Sequence, residues 1–502
     1  MTTAQQVGFR NGMINKYSII AILIFGSVLR LVLFCGDGLG DDPNYFAAFK
    51  NIYDGRMFNS QYYYRFSYWI PQIVIWKIFG INEFTFILPV LLSSIGCIYV
   101  VYLIGRELFD IETGLIAATL MAVNPFEVLN ATLISTDVNL SLYMLLAVYF
   151  FVVAQRHYSA FYFVLSALFI FLAFVNKLFG AYILPVILGF YLAREGWDLR
   201  KISRYLTFMV SLMVLFLILF ITCWFLVGDP FTYITIFGQN REPPHIAPLD
   251  AYQLMIYPNQ MFFKNEFGES LHGYHFYGVV LCLLIGVRNN VCEKIFPVLV
   301  WFLVMFFFVE FFPHKVRDFI PYTIPRIFRY FVIVVPPSII FVSYYWNRFR
   351  KNYQTIFAVA FAVYVAFSIP WSYESTRIAR IAFGEVRDAT TYLKNQNGDI
   401  YSDWYLISKI ERLENGGRRD PRLHAWINTE TPEAWQQKFL SVETGYVVTG
   451  GPRLPYYGCF SCIPNLGHFV PPRNWRMLRE FDDRGYPPWK VEPLRIWYVE
   501  KR

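Results

Sequence analysis

The sequence predicts a polytopic α-helical membrane protein, with about eleven transmembrane helices and a C-terminal extracytoplasmic α/β domain. Three observations carry that prediction. Of 502 residues, 56% are hydrophobic and only 16% charged, where soluble domains carry about 25% charged residues. Apolar runs long enough to cross about 30 Å of hydrocarbon recur through most of the chain. The short connections on alternate sides of these runs are basic, as the positive-inside bias requires.

Spans are expected near 18–36, 84–105, 112–129, 134–154, 159–175, 179–193, 206–227, 274–287, 295–312, 331–346 and 354–371. Arg10 and Lys16 keep the N-terminus in the cytoplasm. The other inside connections hold Arg106; Arg156 and His157; Arg194, Arg200, Lys201 and Arg204; Arg288 and Lys294; and Arg348, Arg350 and Lys351. An odd count leaves the C-terminus outside a cell membrane, inner or plasma. The net charge of +8 is spent at membrane edges, so nucleic acid is not an expected partner, whereas membrane lipids are. No small-x-small cleavage site follows the first span, which therefore reads as an uncleaved anchor.

Residues 1–371 form the expected membrane domain and 372–502 the soluble one. The first outside segment, 37–83, holds two amphipathic helix candidates suited to the headgroup plane. One has Asp42 as N-cap and Pro43 at its first position, ends at Asp54-Gly55, and groups Tyr45, Phe46, Phe49, Ile52 and Tyr53. The other, near 67–79, carries Tyr68, Trp69, Ile73, Trp76 and Phe79. A second outside segment, 228–273, is too long for a plain connector. In the tail, 385–395 reads as a helix, and 445–449 and 494–499 as strands. The absence of an internal repeat weighs against a transporter built from duplicated halves.

Cys35, Cys97, Cys223, Cys282 and Cys292 read as small packing residues. Cys459 and Cys462 form a lone CxxC in the outside domain. It reads as a local disulfide, ahead of half a metal site or a redox pair. His272 and His275 read as interfacial packing. No cluster has metal-ligand spacing, so no cofactor is assigned and a divalent metal stays open.

The residues suited to chemistry fall at the outer ends of spans. Asp41 and Asp42 follow the first span; Asp42, before Pro43, is the better helix cap, which frees Asp41 to act as a base. Arg65, after Tyr62-Tyr63-Tyr64, offers a forked donor for phosphate oxygens beside aromatics that can line a lipid site; the competing reading is an arginine snorkelling toward headgroups. Asp137 opens the fourth span and is either a site carboxylate or a complement to the helix N-terminus. Lys177 and Arg241 are either phosphate ligands or surface charges. A base, cations for a departing phosphate and an apolar groove are what transfer from a lipid-linked anionic donor needs outside the cytoplasm.

This arrangement resembles the GT-C superfamily of integral membrane glycosyltransferases, in particular the branch of protein O-mannosyltransferases and aminoarabinose transferases. Asp41-Asp42-Pro43-Asn44-Tyr45 is similar to that branch's Asp-Glu-x-x-Tyr motif, with Asp42 in place of Glu. Tyr62-Tyr63-Tyr64-Arg65 resembles an aromatic segment that in the family more often ends in Lys. Ser135-Thr136-Asp137 and the loop holding Arg241 are similar as well. The resemblance spans roughly residues 15–345 and implies an inverting transfer from a polyprenyl-phosphate sugar to a glycan, lipid or protein hydroxyl. It implies Asp41 as the base, Arg65 as a phosphate ligand and Arg241 near the donor phosphate; Asp137 stands beside Asp41 as a catalytic candidate, and Tyr45, Tyr62 and Lys177 as donor-site candidates. A polysaccharide or lipid transporter, and a polymerase or ligase using lipid-diphosphate glycans, are the competing readings.

Overall fold

In a computed structural model, the chain is described at residues 3–36, 42–56, 62–239, 247–248, 250, 254–255, 258, 275–288, 295–311, 315–317, 320–323, 328–350, 353–411, 420–426, 437–438, 440–451, 471–481 and 492–500. Its helices are α1 (Thr3–Val32), α2 (Asp42–Tyr53), α3 (Phe66–Phe79), α4 (Glu83–Leu108), α5 (Ile111–Val123), α6 (Pro125–Ala131), α7 (Thr136–His157) and α8 (Ala160–Asn176). Then come α9 (Ile183–Glu195), α10 (Leu206–Val227), α11 (Thr232–Gln239), α12 (His275–Arg288), α13 (Phe296–Phe311), α14 (Val335–Arg350), α15 (Gln354–Lys394) and α16 (Trp404–Lys409). Short 3-10 segments at Leu178–Tyr182, Leu199–Tyr205 and Phe328–Ile333 lead into α9, α10 and α14.

Each expected span falls on helix, but the helices are not equal. Among the described residues, five are long and apolar enough to cross a membrane, and α5 with α6 makes a sixth, bent by 60°. Segments Tyr17–Val32, Ala160–Asn176, His275–Leu284 and Phe296–Phe311 are apolar but shorter. The 60° bend has a local cause: Asn124 leaves helical geometry and Pro125, lacking an N–H, opens the next helix, whose first turn is capped by the Asn124 side chain at Glu127 N.

The chain divides into two compact units. The first comprises Met1–Leu33, Tyr64–Ile70 and Pro89–Ser375. Inside it, the bend between α5 and α6 strips backbone carbonyls of their helical donors, and Arg30 of α1 supplies replacements. Its guanidinium donates to Ala122 O (2.9 Å), to Met121 O (3.5 Å) and to Ser94 Oγ (2.7 Å). Ser94 in turn donates to Glu127 Oε1 (2.8 Å), so a buried cation and carboxylate are joined through one hydroxyl. Elsewhere Gly105 and Gly114 let α4 and α5 nearly touch: a Cβ on Gly105 would lie 2.8 Å from Gly114 Cα. Asn347 of α14 donates to both carboxylate oxygens of Asp110, the N-cap of α5. A small sheet absent from the sequence reading joins β1 (Ala247–Pro248), β3 (Ile320–Thr323) and β2 (Lys315–Arg317) in that order, all antiparallel.

The second unit comprises Phe34–Tyr63, Pro71–Leu88 and Thr376–Arg502. Its sheet has the order β5-β4-β6-β8-β7, from strands β4 (Ile400–Asp403), β5 (Leu423–Trp426), β6 (Gly445–Gly451), β7 (Trp475–Phe481) and β8 (Glu492–Val499). β4 pairs parallel with β5 and β6, while β6–β8 and β7–β8 are antiparallel. Val386, Ala389 and Leu393 pack with Leu406 and Ile407 against Ile400, Val448 and Ile496 to form the core. The expected tail helix is the end of α15, which continues unbroken from the last apolar span through Pro370. In the same unit Phe46 of α2 packs against Trp76 and Phe86. α2 opens at Asp42 and is followed by Gly55 with φ +77. α3 exposes Ile70, Val74, Ile78 and Phe79, so it is apolar on more than one face.

Candidate active site

The first unit gathers a buried carboxylate and three cations from four separate segments. Asp137 lies in the first turn of α7, where Ser135 is the N-cap but makes no side-chain cap bond. Its side chain is 2% exposed, a costly place for a lone charge. Lys177 Nζ donates to Asp137 Oδ1 at 2.6 Å, and Arg329 Nε lies 3.7 Å from Oδ2. Arg65 is buried as well, near enough for its charge to act on Lys177.

Local structure explains each position. α8 ends at Asn176, and Lys177 takes extended geometry (φ −160, ψ 140) before the 3-10 turn begins. Gly180 N donates to Lys177 O, folding the turn back onto α8. Arg65 immediately precedes α3, and its carbonyl accepts from Tyr68 N and Trp69 N. That turn is fastened on three sides within the unit: Tyr143 OH donates to Ser67 O at 2.7 Å, Tyr64 packs edge-on to Tyr233, and Phe66 lies against Phe171. Arg329 belongs to the 3-10 segment Phe328–Ile333, which packs along α7 before leading into α14.

An aromatic row adjoins the cations. Lys177 Nζ lies 4.0 Å from the centre of the Tyr330 ring and 5.0 Å from that of Phe179. Phe179 stacks on Tyr182, and Tyr182 on Phe308. Burial pushes the Lys177 ammonium down to about 8, with Arg329 and Arg65 adding to the effect and Asp137 opposing it. Asn176 and Ser135, the chain neighbours of Lys177 and Asp137, bury side-chain polar atoms that have no hydrogen-bond partner among the described residues.

The sequence-based candidates divide as follows. Asp137, Lys177 and Arg65 share this cluster. Tyr45 and Tyr62 are partners of one another in the second unit, edge to face with ring centres 4.8 Å apart. Asp41, Arg241, Cys459, Cys462 and His272 lie outside the described residues, as does the side chain of Asp42. Asn124 Nδ2 donates to His275 Nδ1, 3.1 Å away. Among the described residues, no three His, Cys, Asp or Glu side chains come together as metal ligands. Arg329 was missed from sequence. Its signal was a basic pair, Arg326 and Arg329, at the supposed outer start of the tenth span, where the positive-inside bias disfavours it.

Residues 66–225, which contain Asp137 and Lys177, match the family model for dolichyl-phosphate-mannose-protein mannosyltransferase. The whole architecture matches the apo structure of ArnT from Cupriavidus metallidurans at 14% identity and a TM-score of 0.58, covering 88% of this chain and 93% of that one. The chain has the GT-C fold. It resembles the protein mannosyltransferase and ArnT branch of the GT-C glycosyltransferases. ArnT bound to undecaprenyl phosphate matches at 14% identity and a TM-score of 0.52, covering 96% of this chain and 97% of that one. The oligosaccharyltransferase AglB from Archaeoglobus fulgidus, in complex with an inhibitory peptide and a dolichol-phosphate, matches at 14% identity and 0.52, covering 87% and 69%. No curated protein matches the chain by sequence.

Proposed function

We propose that the protein is an inverting glycosyltransferase that moves a sugar from a polyprenyl-phosphate donor to an acceptor hydroxyl on the extracytoplasmic face of a cell membrane. One observation carries the reading: Lys177 and Arg329 both approach the buried carboxylate of Asp137, and Arg65 lies near enough for its charge to act on Lys177. A polyprenyl-phosphate sugar is a phosphodiester with one negative charge. When the anomeric C–O bond breaks, its electrons stay on the phosphate, which becomes a monoester carrying close to two. Cations gathered at one place attract the departing state more strongly than the bound donor, which is what lowers a barrier.

In this reading the acceptor oxygen attacks the anomeric carbon from the face opposite the phosphate, and Asp41 takes its proton. Asp137 is the second carboxylate of the catalytic set, and it holds Lys177 and Arg329 together through its two oxygens. The row Tyr330, Phe179, Tyr182 and Phe308 offers a wall for the first isoprene units. Arg241, Tyr45 and Tyr62 are donor-site candidates on sequence grounds, and 372–502 is read as an extracytoplasmic domain. The undecaprenyl phosphate of ArnT and the dolichol-phosphate of AglB support a lipid-phosphate ligand, and the AglB peptide supports an acceptor from outside the membrane.

The test is transfer by the purified protein from a labelled polyprenyl-monophosphate sugar, with product anomery determined. Turnover with inversion is expected. Transfer only from a lipid-diphosphate oligosaccharide would favour a polymerase or ligase, and movement of label across vesicles without transfer would favour a transporter.

A further inference from the structure

α7 is 22 residues long, about 33 Å at 1.5 Å per residue, so its two ends are roughly one hydrocarbon thickness apart. Asp137 marks one end. At the other, a second charged cluster surrounds Glu195, the last residue of α9. Lys201 Nζ lies 3.4 Å, Arg194 Nε 3.6 Å and Arg204 Nη1 4.0 Å from its carboxylate oxygens. Tyr158, at φ 49 just past α7, donates to Glu195 Oε1 at 2.9 Å, and Tyr205 donates to the same oxygen at 3.1 Å. The guanidinium carbons of Arg194 and Arg204 lie 5.6 and 5.2 Å from the centre of the one Tyr158 ring.

Two like-charged forks held on one ring, with a lysine beside them, outnumber the Glu195 carboxylate they share and leave their exposed parts open to a further anion. Their surroundings say which kind. Trp197 is 84% exposed, as an interfacial anchor is. Directly after Arg204 and Tyr205, α10 presents Leu206, Met209, Val210, Met213 and Leu217 exposed along one face. A cationic cluster opening onto an apolar strip of helix fits a phosphate headgroup with acyl chains attached.

We propose that Arg194, Lys201 and Arg204 form a binding site for an anionic diacyl phospholipid at the membrane face opposite the Asp137 cluster, with its acyl chains laid along α10. The site is independent of the transfer reaction.

The test is native mass spectrometry of the full chain, delipidated in neutral detergent and titrated with phosphatidylglycerol or phosphatidylcholine. One phosphatidylglycerol per chain should be retained in at least tenfold preference to phosphatidylcholine. Arg194→Gln with Arg204→Gln should abolish the preference, while Arg348→Gln with Arg350→Gln, which removes the same charge from the end of α14, should not. Should the first pair fail to fold, Arg204→Gln alone and Trp197→Ala, both at exposed side chains, should each weaken retention several-fold. Equal retention of the two lipids, or equal loss in both double variants, would overturn the proposal, since either means diffuse charge. Displacement of phosphatidylglycerol by undecaprenyl phosphate would overturn it too. Lys177→Gln should leave retention unchanged, which separates this site from the donor reading.

Discussion

Gly180 passes so close to α8 that a Cβ there would stand 2.2 Å from the Ala173 carbonyl carbon and 2.4 Å from its oxygen. Backbone cannot yield as a flexible side chain can, and the turn that includes Gly180 is the one that aims Lys177. Gly180→Ala should therefore cost about 1–3 kcal/mol of stability, the usual penalty of overpacking. It should also lower transfer at least tenfold, in a variant that still inserts. Thermal unfolding in detergent and a transfer assay measure both. Wild-type behaviour in both would mean the turn does not position Lys177.

Arg329→Gln removes one of three cations and should weaken binding of a polyprenyl phosphate roughly ten- to hundredfold, the worth of one charge-assisted hydrogen bond of about 1.5–3 kcal/mol. Arg65→Ala should act in the same direction and Arg65→Lys should recover part of the loss. Titration by scintillation proximity or fluorescence quenching reads the constant. Unchanged affinity in both Arg329→Gln and Arg65→Ala would remove the phosphate from this cluster.

Donor affinity should depend on pH through Lys177. Its ammonium is charged below about 8 and neutral above, well under the ordinary value of 10.5. The cluster loses one positive charge as pH rises through about 8, so phosphate binding to the free protein should weaken there. Lys177→Arg should flatten the profile between pH 7 and 9.5, because a guanidinium does not titrate in that range. A wild-type profile equally flat would contradict the assignment.

Asp41→Asn should reduce transfer about 10²–10⁴-fold, the typical loss of a general base, with expression and melting unchanged. Asp42→Asn should be milder, since Asn also caps helices well. Near-normal turnover by Asp41→Asn would end its assignment as the base.

Sidedness can be read chemically. In a background without native cysteines, Phe58→Cys and Glu430→Cys should both react with an impermeant thiol reagent in intact cells. Labelling of one alone would break the alternation of basic connections on which the topology rests. Labelling of neither, with both labelled in opened cells, would put the site in the cytoplasm and admit nucleotide-sugar donors.

The apolar runs were legible because hydrocarbon thickness dictates their length, and Asp137, Lys177 and Arg65 were legible because charge beside such runs is conspicuous. What joins them was not. Lys177 and Asp137 are 40 residues apart and Arg329 is far beyond both, so their meeting is a property of helix packing and leaves no local pattern. The bend at Asn124-Pro125 was written in the chain but read as part of one straight span, 112–129. In the tail, β6 is a short buried aromatic and β-branched run and β8 alternates at Leu494–Trp497, which is enough to be seen. β4 and β5 have four residues each, and their parallel pairing is set by the core that Leu393 and Ile407 build. The length of α15 was hidden by Pro370, which a membrane-embedded helix tolerates.

The contact of Arg30 with the bent α5–α6 pair also bears on how the protein is made. The carbonyl that Arg30 serves at Ala122 is 92 residues downstream. At about 5–20 residues per second, Arg30 is synthesised roughly 5–20 s before its partner exists. During that interval a guanidinium on α1 has neither its carbonyl nor the Ser94 and Glu127 relay, and α1 released alone into lipid would carry an uncompensated charge. In lipid, α1 and the broken α5–α6 pair each leave polar groups open until the other is beside them.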